Sequence, residues 1–269
     1  MAKKEVFTKN KKNDKHINNP PEKKKSGWLF YVLAVPVASV LTIILTFTGF
    51  LIHAYFRDLD AARTESEALQ EIAAEILEYN ENYNIAAVAA APHHLSELDL
   101  QMLAINPDFI CWIRIDGLPI DYPVVRGSDN EFYLNHSFYR EENIFGALFM
   151  DYRNVGDFVP HIIIYGHNNL ERAKFGTLHY LYDEAFLRNH NIITIIVNDR
   201  VVEYEIFSVR VTDIYDPAYF LDFRAPGAFH DFLERIGAPE DAQQILTLST
   251  CLSAGDEEGR LIVQAALVI

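Results

Sequence analysis

A run of 30 residues without a single Asp, Glu, Lys or Arg, from Gly27 to Phe56, constrains the fold of this chain more than any other feature of its sequence. About 20 apolar residues suffice to cross a bilayer as a helix, in which every backbone polar group is paired within the segment. The run is longer than the apolar core of a secretory signal peptide, and no convincing small-residue cleavage site follows it. We therefore predict an uncleaved transmembrane helix at residues 27–56, within which Pro36 is tolerated. A cleaved signal peptide is the alternative.

Charge is distributed very unevenly about this run. The formal net charge is −15, yet residues 1–26 contain nine lysines and only three acidic residues. Lysine-rich flanks stay on the cytoplasmic side, so we predict a single-pass protein of the cell membrane with a cytoplasmic N-terminus and an extracellular main body. The tail at 1–26 lacks apolar periodicity and is expected to be disordered. The acidic main body argues against nucleic acid as a partner, because phosphate contacts need clustered Lys and Arg.

A second helical pattern follows the membrane segment. Residues 57–83 are rich in Ala, Glu and Leu, and their apolar residues recur at helical spacing. Such a helix either stands as a stalk or packs on the domain that follows, and packing is the favoured interpretation. Small residues at 86–92 then predict a linker. We assign residues 57–97 to an extracellular helical stalk and linker.

Residues 98–269 predict a mainly β domain. Short runs rich in β-branched and aromatic residues are separated by turn residues, and eight such strands favour a closed or nearly closed barrel. Helical interruptions are expected near 170–190 and at 225–236, where Pro226 stands near the first turn and apolar residues recur at helical spacing. The predicted strands are 109–115, 119–125, 145–150, 160–166, 191–197, 200–214, 244–250 and 260–268.

One of these strands ends at a cysteine. The run that begins at Gln244 alternates in the manner of a strand and stops at Cys251, after which turn residues and acids follow. A thiol at the end of a rigid strand is held in place and still reaches solvent. Arg260 starts the next apolar run, which would return its guanidinium to the same end of the sheet. An adjacent cation favours the thiolate, the nucleophilic form of cysteine, and can also stabilise an oxyanion.

A proton partner for this thiol stands at another strand end. His167 follows an apolar run, and Gly166 before it allows a close approach. A Cys–His nucleophilic site is one interpretation, and the other is a buried cysteine and a hydrogen-bonded histidine without chemistry. Cys111 lies in a run typical of a buried strand, where a free cysteine acts as a small hydrophobe. A disulfide between Cys111 and Cys251 is the alternative, and it would remove the nucleophile.

These motifs resemble those of the sortases, the cysteine transpeptidases of Gram-positive cell surfaces. The resemblance rests on Thr-Leu-Ser-Thr-Cys at 247–251 with its downstream Arg, and on Tyr-Gly-His-Asn at 165–168. Within the family the chain is most similar to class B, because of the helix predicted at 225–236 and the form of these two motifs. Class A stays open, and the second membrane segment and lid of class C are not evident. Further matching segments begin at Asn106, Ile120, Asp129 and Gly146, so the resemblance covers about residues 98–269.

The resemblance implies a sortase-type barrel and a reaction. Cys251 would attack the carbonyl of a Thr in the C-terminal sorting signal of an exported protein, and His167 would act as the general acid and base. Arg260 would stabilise the oxyanion or the substrate carbonyl. A primary amine of a peptidoglycan cross-bridge or of a pilin would resolve the thioester, and no metal or organic cofactor is required. The implied substrate contacts are Asn130, Leu134 and Ser249.

Several alternatives stay open at this point. Each implied substrate contact could instead serve packing or a hydrogen bond at a strand end. Leu252 departs from the acidic residue often found after the cysteine in class B, which puts one substrate contact in doubt. A hydrolytic cysteine protease would use the same residues, and a non-catalytic surface binding module could share the fold. A transpeptidase transfers its product to an amine, whereas a hydrolytic protease does not. A binding module would keep its function when Cys251 is replaced by Ala.

Overall fold

The computed structural model describes residues 28–81, 96–156, 159–168, 173–198, 200–252 and 258–268. The chain divides into two compact units, of which the first ends at Ile52 and the second begins at His53. The tail predicted at 1–26 and the linker predicted at 86–92 lie outside the described residues.

The membrane segment and the helix predicted after it form one continuous helix, α1, Trp28–Glu81, with Pro36 inside it. By length and composition this helix contains a segment able to cross a membrane. Two hydroxyl side chains of its apolar segment are paired with the helix backbone: Ser39 Oγ donates to Val35 O at 2.9 Å and Thr42 Oγ1 to Ala38 O at 2.8 Å. Such pairing suits an apolar surrounding, where an unpaired hydroxyl is costly.

The part of α1 that belongs to the second unit packs against the β domain. Gln70 Nε2 donates to Asp121 O at 2.8 Å, and Glu65 Oε1 accepts from Phe138 N at 3.0 Å. This half of the helix is therefore joined to the domain by hydrogen bonds as well as by apolar contact. Its buried apolar side chains are Leu59, Leu69, Ala73 and Ile76.

A short helix that is not among the elements predicted from the sequence precedes the first strand. This helix, α2, spans Glu97–Ile105 and begins with a capping box. Ser96 Oγ accepts from Asp99 N at 3.0 Å, and Asp99 Oδ2 accepts from Ser96 N at 3.0 Å. The reciprocal bonds satisfy backbone donors that the first turn of a helix leaves unpaired.

The predicted closed eight-stranded barrel is confirmed. The strands are β1 Phe109–Ile115, β2 Ile120–Val125, β3 Leu148–Met150, β4 His161–Tyr165, β5 Ile192–Val197, β6 Arg200–Asp213, β7 Ile245–Cys251 and β8 Gly259–Leu267. Their order in the barrel is β1-β2-β3-β4-β7-β8-β6-β5, and β5 pairs with β1 to close it. Most neighbours are antiparallel, whereas β2 with β3 and β4 with β7 are parallel.

Helical segments interrupt the barrel at both predicted places. A 3-10 helix at Phe175–Tyr182 and the short α3 at Glu184–Leu187 occupy the first, and α4 at Ala228–Ile236 occupies the second. The start predicted for α4 is wrong: Gly227 adopts a left-handed φ of 81° at its N-cap, so Pro226 precedes the first turn. The apolar face of α4 packs against β7 and β8 through Phe232, Leu233 and Ile236.

Candidate active site

Strand register brings the ends of β4 and β7 together. The two strands are parallel, Tyr165 pairs with Ser249, and Gly166 N donates to Ser249 O at 3.2 Å. His167 and Cys251 each stand two residues beyond that last pair. Parallel neighbours run side by side in one direction, so both residues emerge at the same end of the barrel.

Arg260 reaches the same place from the other side of β7. In the antiparallel pair β7–β8, Cys251 and Arg260 are direct partners. Opposed residues of an antiparallel pair carry their side chains on one face of the sheet. Arg260 is half-buried, and its Nη1 donates to Gly259 O at 2.9 Å. The three residues predicted at separate strand ends are thus gathered at one end of the barrel.

Only one of the two cysteines of the chain is accessible. Cys251 is half-buried with a free thiol. Cys111 is 3% exposed in the barrel core, and burial raises its pKa to about 12, with a further rise from the charge of Asp99. Both thiols are free, so the alternative of a disulfide between them is wrong. Of the two thiols, only that of Cys251 is therefore placed to meet a molecule from solvent.

The imidazole of His167 is oriented by a backbone carbonyl. Its Nε2 lies 2.5 Å from Leu134 O. A carbonyl oxygen can only accept, so this contact keeps a proton on Nε2 and leaves Nδ1 as the acceptor of the neutral ring. A histidine held in one tautomer by such a bond is suited to pass protons through its other nitrogen.

The segment that presents this carbonyl depends on a glycine. Leu134 ends a 3-10 helix at Phe132–Leu134, and its side chain is 42% exposed. Gly146 has a left-handed φ of 55°, and a Cβ there would lie 2.5 Å from Tyr133 O and 2.8 Å from Leu134 O. The close approach of these two segments is therefore possible only without a side chain at this position. The structure brings Leu134 to the site through its main chain.

Ser249 lies at the site but is engaged by another residue. It is 1% exposed, and its Oγ is 2.8 Å from Tyr219 Oη. Tyr219 ends a 3-10 helix at Pro217–Tyr219, whose N-cap carboxylate, Asp216, receives hydrogen bonds from Arg210 and Thr212. In this arrangement Ser249 fixes the Tyr219 ring, and a direct contact with substrate would require that ring to move.

Tyr219 is a site residue that was not predicted from the sequence. Burial raises its pKa, while the hydrogen bond with Ser249 and the positive charge of Arg260 lower it. The charge of Cys251 also acts on this phenol, in the raising direction. The ring therefore lies within electrostatic reach of both residues. No local pattern marks it, because its contacts, with Ser249 and Tyr165, come from β7 and β4.

Asn130 is held in a buried polar network. Its Nδ2 donates to Asp151 Oδ2 at 3.0 Å, and its Oδ1 accepts from Tyr152 N at 3.0 Å. Asp151 is fully buried and also accepts from Tyr165 Oη at 3.0 Å and from Arg153 through two bonds of 2.8 Å. Burial alone would raise the pKa of Asp151, but the hydrogen bonds from Arg153 and Asn130 outweigh it and hold that pKa low.

This network connects two of the three predicted substrate contacts, Asn130 and Ser249. The ring of Tyr165 stacks parallel to that of Tyr219, with centroids 6.5 Å apart and an interplanar angle of 7°. Asp151 therefore supports Asn130 directly and Ser249 indirectly, through the two stacked rings. Asn130 therefore belongs to this network, and both the nitrogen and the oxygen of its amide are already hydrogen-bonded.

Asn168, the residue after His167, contacts the end of the cysteine strand. Its Nδ2 donates to Cys251 O at 3.0 Å and to Leu252 O at 3.1 Å. The residue belongs to the Tyr-Gly-His-Asn motif, but no role is predicted for it from the sequence. The available signal is its position beside the histidine. Among the residues that the structure describes, no cluster of His, Cys, Asp and Glu is arranged to hold a metal ion.

Comparison with known proteins agrees with this architecture. The sortase domain model matches residues 113–268, more than half of the chain. The chain belongs to the sortase family. Its relatives place it among class B-like members: it is 32% identical over 183 residues to sortase B of Listeria monocytogenes, covering 63% of this chain and 73% of the relative. Identity to sortase B of Staphylococcus aureus is 31%, covering 61% and 72%.

Solved structures resemble the barrel in the same way. The X-ray structure of Clostridium perfringens sortase B matches with a TM-score of 0.58 and 29% identity, covering 64% of this chain and 100% of that one. The Staphylococcus aureus sortase B–substrate complex matches with a TM-score of 0.67 and 26% identity, covering 79% and 98%.

Proposed function

We propose that this chain is a membrane-anchored cysteine transpeptidase that cleaves a C-terminal sorting signal after Thr and transfers the protein to a primary amine. The observation that carries the proposal is the pairing of β7 with a strand on each side. Its pairing with β8 sets Cys251 opposite Arg260, and its pairing with β4 brings Cys251 to the strand end that precedes His167. Membership of the sortase family supports the same reaction.

In the first half-reaction the Cys251 thiolate attacks the Thr carbonyl carbon, and a C–S bond forms. The negative charge passes to the carbonyl oxygen, where the guanidinium of Arg260 stabilises it. Collapse of this intermediate breaks the C–N bond, and His167, which enters this half-reaction protonated on both ring nitrogens while Cys251 is the thiolate, donates its Nδ1 proton to the leaving amine. A thioester on Cys251 remains.

The second half-reaction reverses the direction of proton transfer. A primary amine attacks the thioester carbonyl, His167 accepts its proton, and the new amide forms as the Cys251 thiolate departs. The amine would belong to a peptidoglycan cross-bridge or to a pilin. Water competes for the same thioester, and the hydrolytic alternative differs only at this step.

Location follows from the N-terminal helix. The segment of α1 that is able to cross a membrane follows a lysine-rich tail, which favours a cytoplasmic N-terminus and supports a location of the barrel outside the cell. An enzyme held there would meet exported proteins at the membrane surface, and would need no organic cofactor or metal for the chemistry described.

Product analysis tests the proposal. The full chain in detergent is incubated with quenched peptides of the Asn-Pro-X-Thr and Leu-Pro-X-Thr-Gly types, with and without an amino-glycine nucleophile. We expect cleavage after Thr and a transfer product that appears only with the amine. Cys251→Ala should abolish both, whereas Cys111→Ala, which removes the buried thiol, should retain them. Cleavage unaffected by the amine would establish a hydrolase. No cleavage of any peptide by the parent chain, with Cys251 reduced, would favour a non-catalytic binding module.

A further inference from the structure

We propose that Asn168 is a positioning residue, whose carboxamide extends the β4–β7 ladder beyond the end of β4 and so fixes Cys251 relative to His167. This inference rests on the proposed function, because positioning matters only if Cys251 and His167 act together. The observations concern the main chain at the end of β7 and are independent of any substrate.

At the end of β4 and β7, a side-chain hydrogen bond continues the ladder of main-chain hydrogen bonds. Gly166 N donates to Ser249 O at 3.2 Å, which is the last main-chain bond in this direction among the residues that the structure describes. In a strand, alternate carbonyls point towards the same neighbour, so the next carbonyl on this edge belongs to Cys251. That carbonyl accepts from Asn168 Nδ2 at 3.0 Å. The carboxamide thus takes the place of a further β4 backbone N–H.

The second bond fixes the residue after the nucleophile. Asn168 Nδ2 also donates to Leu252 O at 3.1 Å, while Leu252 N donates to Gly259 O at 3.0 Å. Leu252 is therefore held from β8 on one side and from the residue beside His167 on the other. The backbone of Cys251 lies between these attachments, which leaves its sulfur little freedom except rotation about χ1.

Asn168 is itself held by packed structure. It forms an isolated antiparallel bridge with Lys174, a buried residue whose ammonium lies 4.9 Å from the centroid of the Tyr122 ring. Two residues earlier, a Cβ on Gly166 would lie 2.4 Å from Leu148 Cδ2 and 2.8 Å from Phe175 Cδ2. The path of this segment is therefore fixed on both sides of His167, and Asn168 can transmit that position to β7.

Asparagine suits this role for a chemical reason. Its amide group donates to two carbonyls without adding charge beside the thiol. An aspartate of the same shape would present oxygen atoms to two carbonyl oxygens and place a negative charge near the Cys251 thiolate. Both effects oppose the active arrangement, the first by repelling the strand end and the second by disfavouring the thiolate.

Four variants of the full chain in detergent test the role: Asn168→Asp, Asn168→Ala, Asn168→Gln and the control Asn189→Asp. Asn189 is exposed and its Nδ2 donates to Ala185 O at 2.8 Å, a matched bond away from the site. The first measurement is the pH dependence of Cys251 alkylation by iodoacetamide without any peptide, followed on the Cys251 fragment by mass spectrometry. The second is kcat and KM for a sorting peptide.

For Asn168→Ala we expect kcat to fall on the order of 10- to 100-fold with KM within about twofold, because small displacements of reacting groups act on turnover. The kcat of Asn168→Asp should fall further, and its alkylation profile should shift to higher pH. Asn168→Gln, which keeps the donors, should retain more activity than Asn168→Ala. Asn189→Asp should match the parent chain in both measurements.

The alkylation assay separates this inference from the proposed function. If the parent chain transfers no peptide but Asn168→Asp still shifts the profile, positioning stands and the transpeptidase proposal falls. An unchanged profile in Asn168→Asp, or a raised KM with kcat intact, would overturn the inference, the latter because it indicates a substrate contact. If thermal unfolding shows that Asn168→Ala does not fold, Asn168→Asp and Asn168→Gln, which keep side-chain polarity, decide the matter by the same criteria.

Discussion

Cys251 and Arg260 are direct cross-strand partners, the last pair of the β7–β8 ladder. Opposed residues in such a ladder have Cβ atoms about 4.5–5.5 Å apart, so the guanidinium reaches the space around the thiol from a rigid element. Its planar, permanently charged set of donors suits a developing oxyanion better than the single ammonium of a lysine. The pairing would allow these residues, nine positions apart, to act on one carbonyl in the proposed reaction.

Replacing Arg260 by Gln should lower kcat/KM of peptide cleavage by about 100- to 1,000-fold, the usual effect of losing an oxyanion donor. Arg260→Lys keeps the charge without the fork and should recover part of that loss. Steady-state kinetics of the two variants check this, with the exposed Arg188→Gln as control. Full activity in Arg260→Gln would contradict the role of this residue.

Gly146→Ala should disturb both stability and turnover. A side chain there meets the Tyr133 and Leu134 carbonyls, and the second of these orients His167. We expect a loss of about 3 kcal/mol in the free energy of unfolding, since backbone strain adds to the displacement of these carbonyls. Urea denaturation and kcat measure the two effects.

Gly237→Ala is the matched control for this change. Gly237 also has a positive φ, 68°, but a Cβ there meets nothing within 4 Å. It should lose only about 1 kcal/mol and keep normal turnover. Equal effects of the two substitutions would show that the Leu134 carbonyl is not held in place by this close approach.

The barrel should lose stability as the pH falls below that of neutral solution, because of His161. This buried ring bonds Phe220 O through Nδ1 at 2.9 Å and Thr247 Oγ1 through Nε2 at 2.8 Å, and burial lowers its pKa from 6.5 to about 4. The unfolded chain therefore binds the proton more tightly. The contribution of His161 to the free energy of unfolding is therefore fully present above about pH 6.5. It declines by about 3 kcal/mol in total as the pH falls towards 4.

Urea denaturation at several pH values between 4 and 7.5 measures that decline. His161→Gln should be less stable at neutral pH but should show a flatter dependence between pH 6.5 and pH 4. His230→Gln, on the exposed face of α4, should keep the dependence of the parent chain. An equally steep decline in His161→Gln would assign the effect to other groups.

Asp151→Asn should destabilise the chain by about 1–3 kcal/mol, because it removes the charge that Arg153, Asn130 and Tyr165 all contact. This loss is smaller than for a fully buried pair, because Arg153 is partly exposed and can turn to water. Asp222→Asn is the control, since its bond to Arg224 is exposed and screened by solvent, so removing it should leave the stability almost unchanged. Equal losses of unfolding free energy would contradict the importance of the network.

Much of the fold is visible in the sequence, because β-branched runs and turn residues mark each strand locally. The capping box at Ser96 and Asp99 is also a local signal, although helix α2 was not predicted from it. The beginning of α4 was misplaced because the left-handed backbone of Gly227, and not the preference of Pro226 for a first turn, decides where the helix begins.

The site is less visible, because its contacts are long-range. Asn168 and Cys251 are 83 residues apart, and the parallel register of β4 and β7 that joins them has no signature in either strand. Tyr219 and Asp151 are likewise defined by partners on other elements. Resemblance to the sortases pointed to Cys251, His167 and Arg260. The residues that support them could be recognised only from the three-dimensional arrangement.

The most direct test of the account is the intact mass of the full chain after brief exposure to an Asn-Pro-X-Thr sorting peptide. We predict an added mass equal to the acyl part of the peptide, located on Cys251, which disappears when an amino-glycine nucleophile is supplied and a transfer product forms. Cys251→Ala should show no such adduct, and Cys111→Ala should show it. If no sorting peptide modifies Cys251 while its thiol is reduced, the proposed transpeptidase is contradicted.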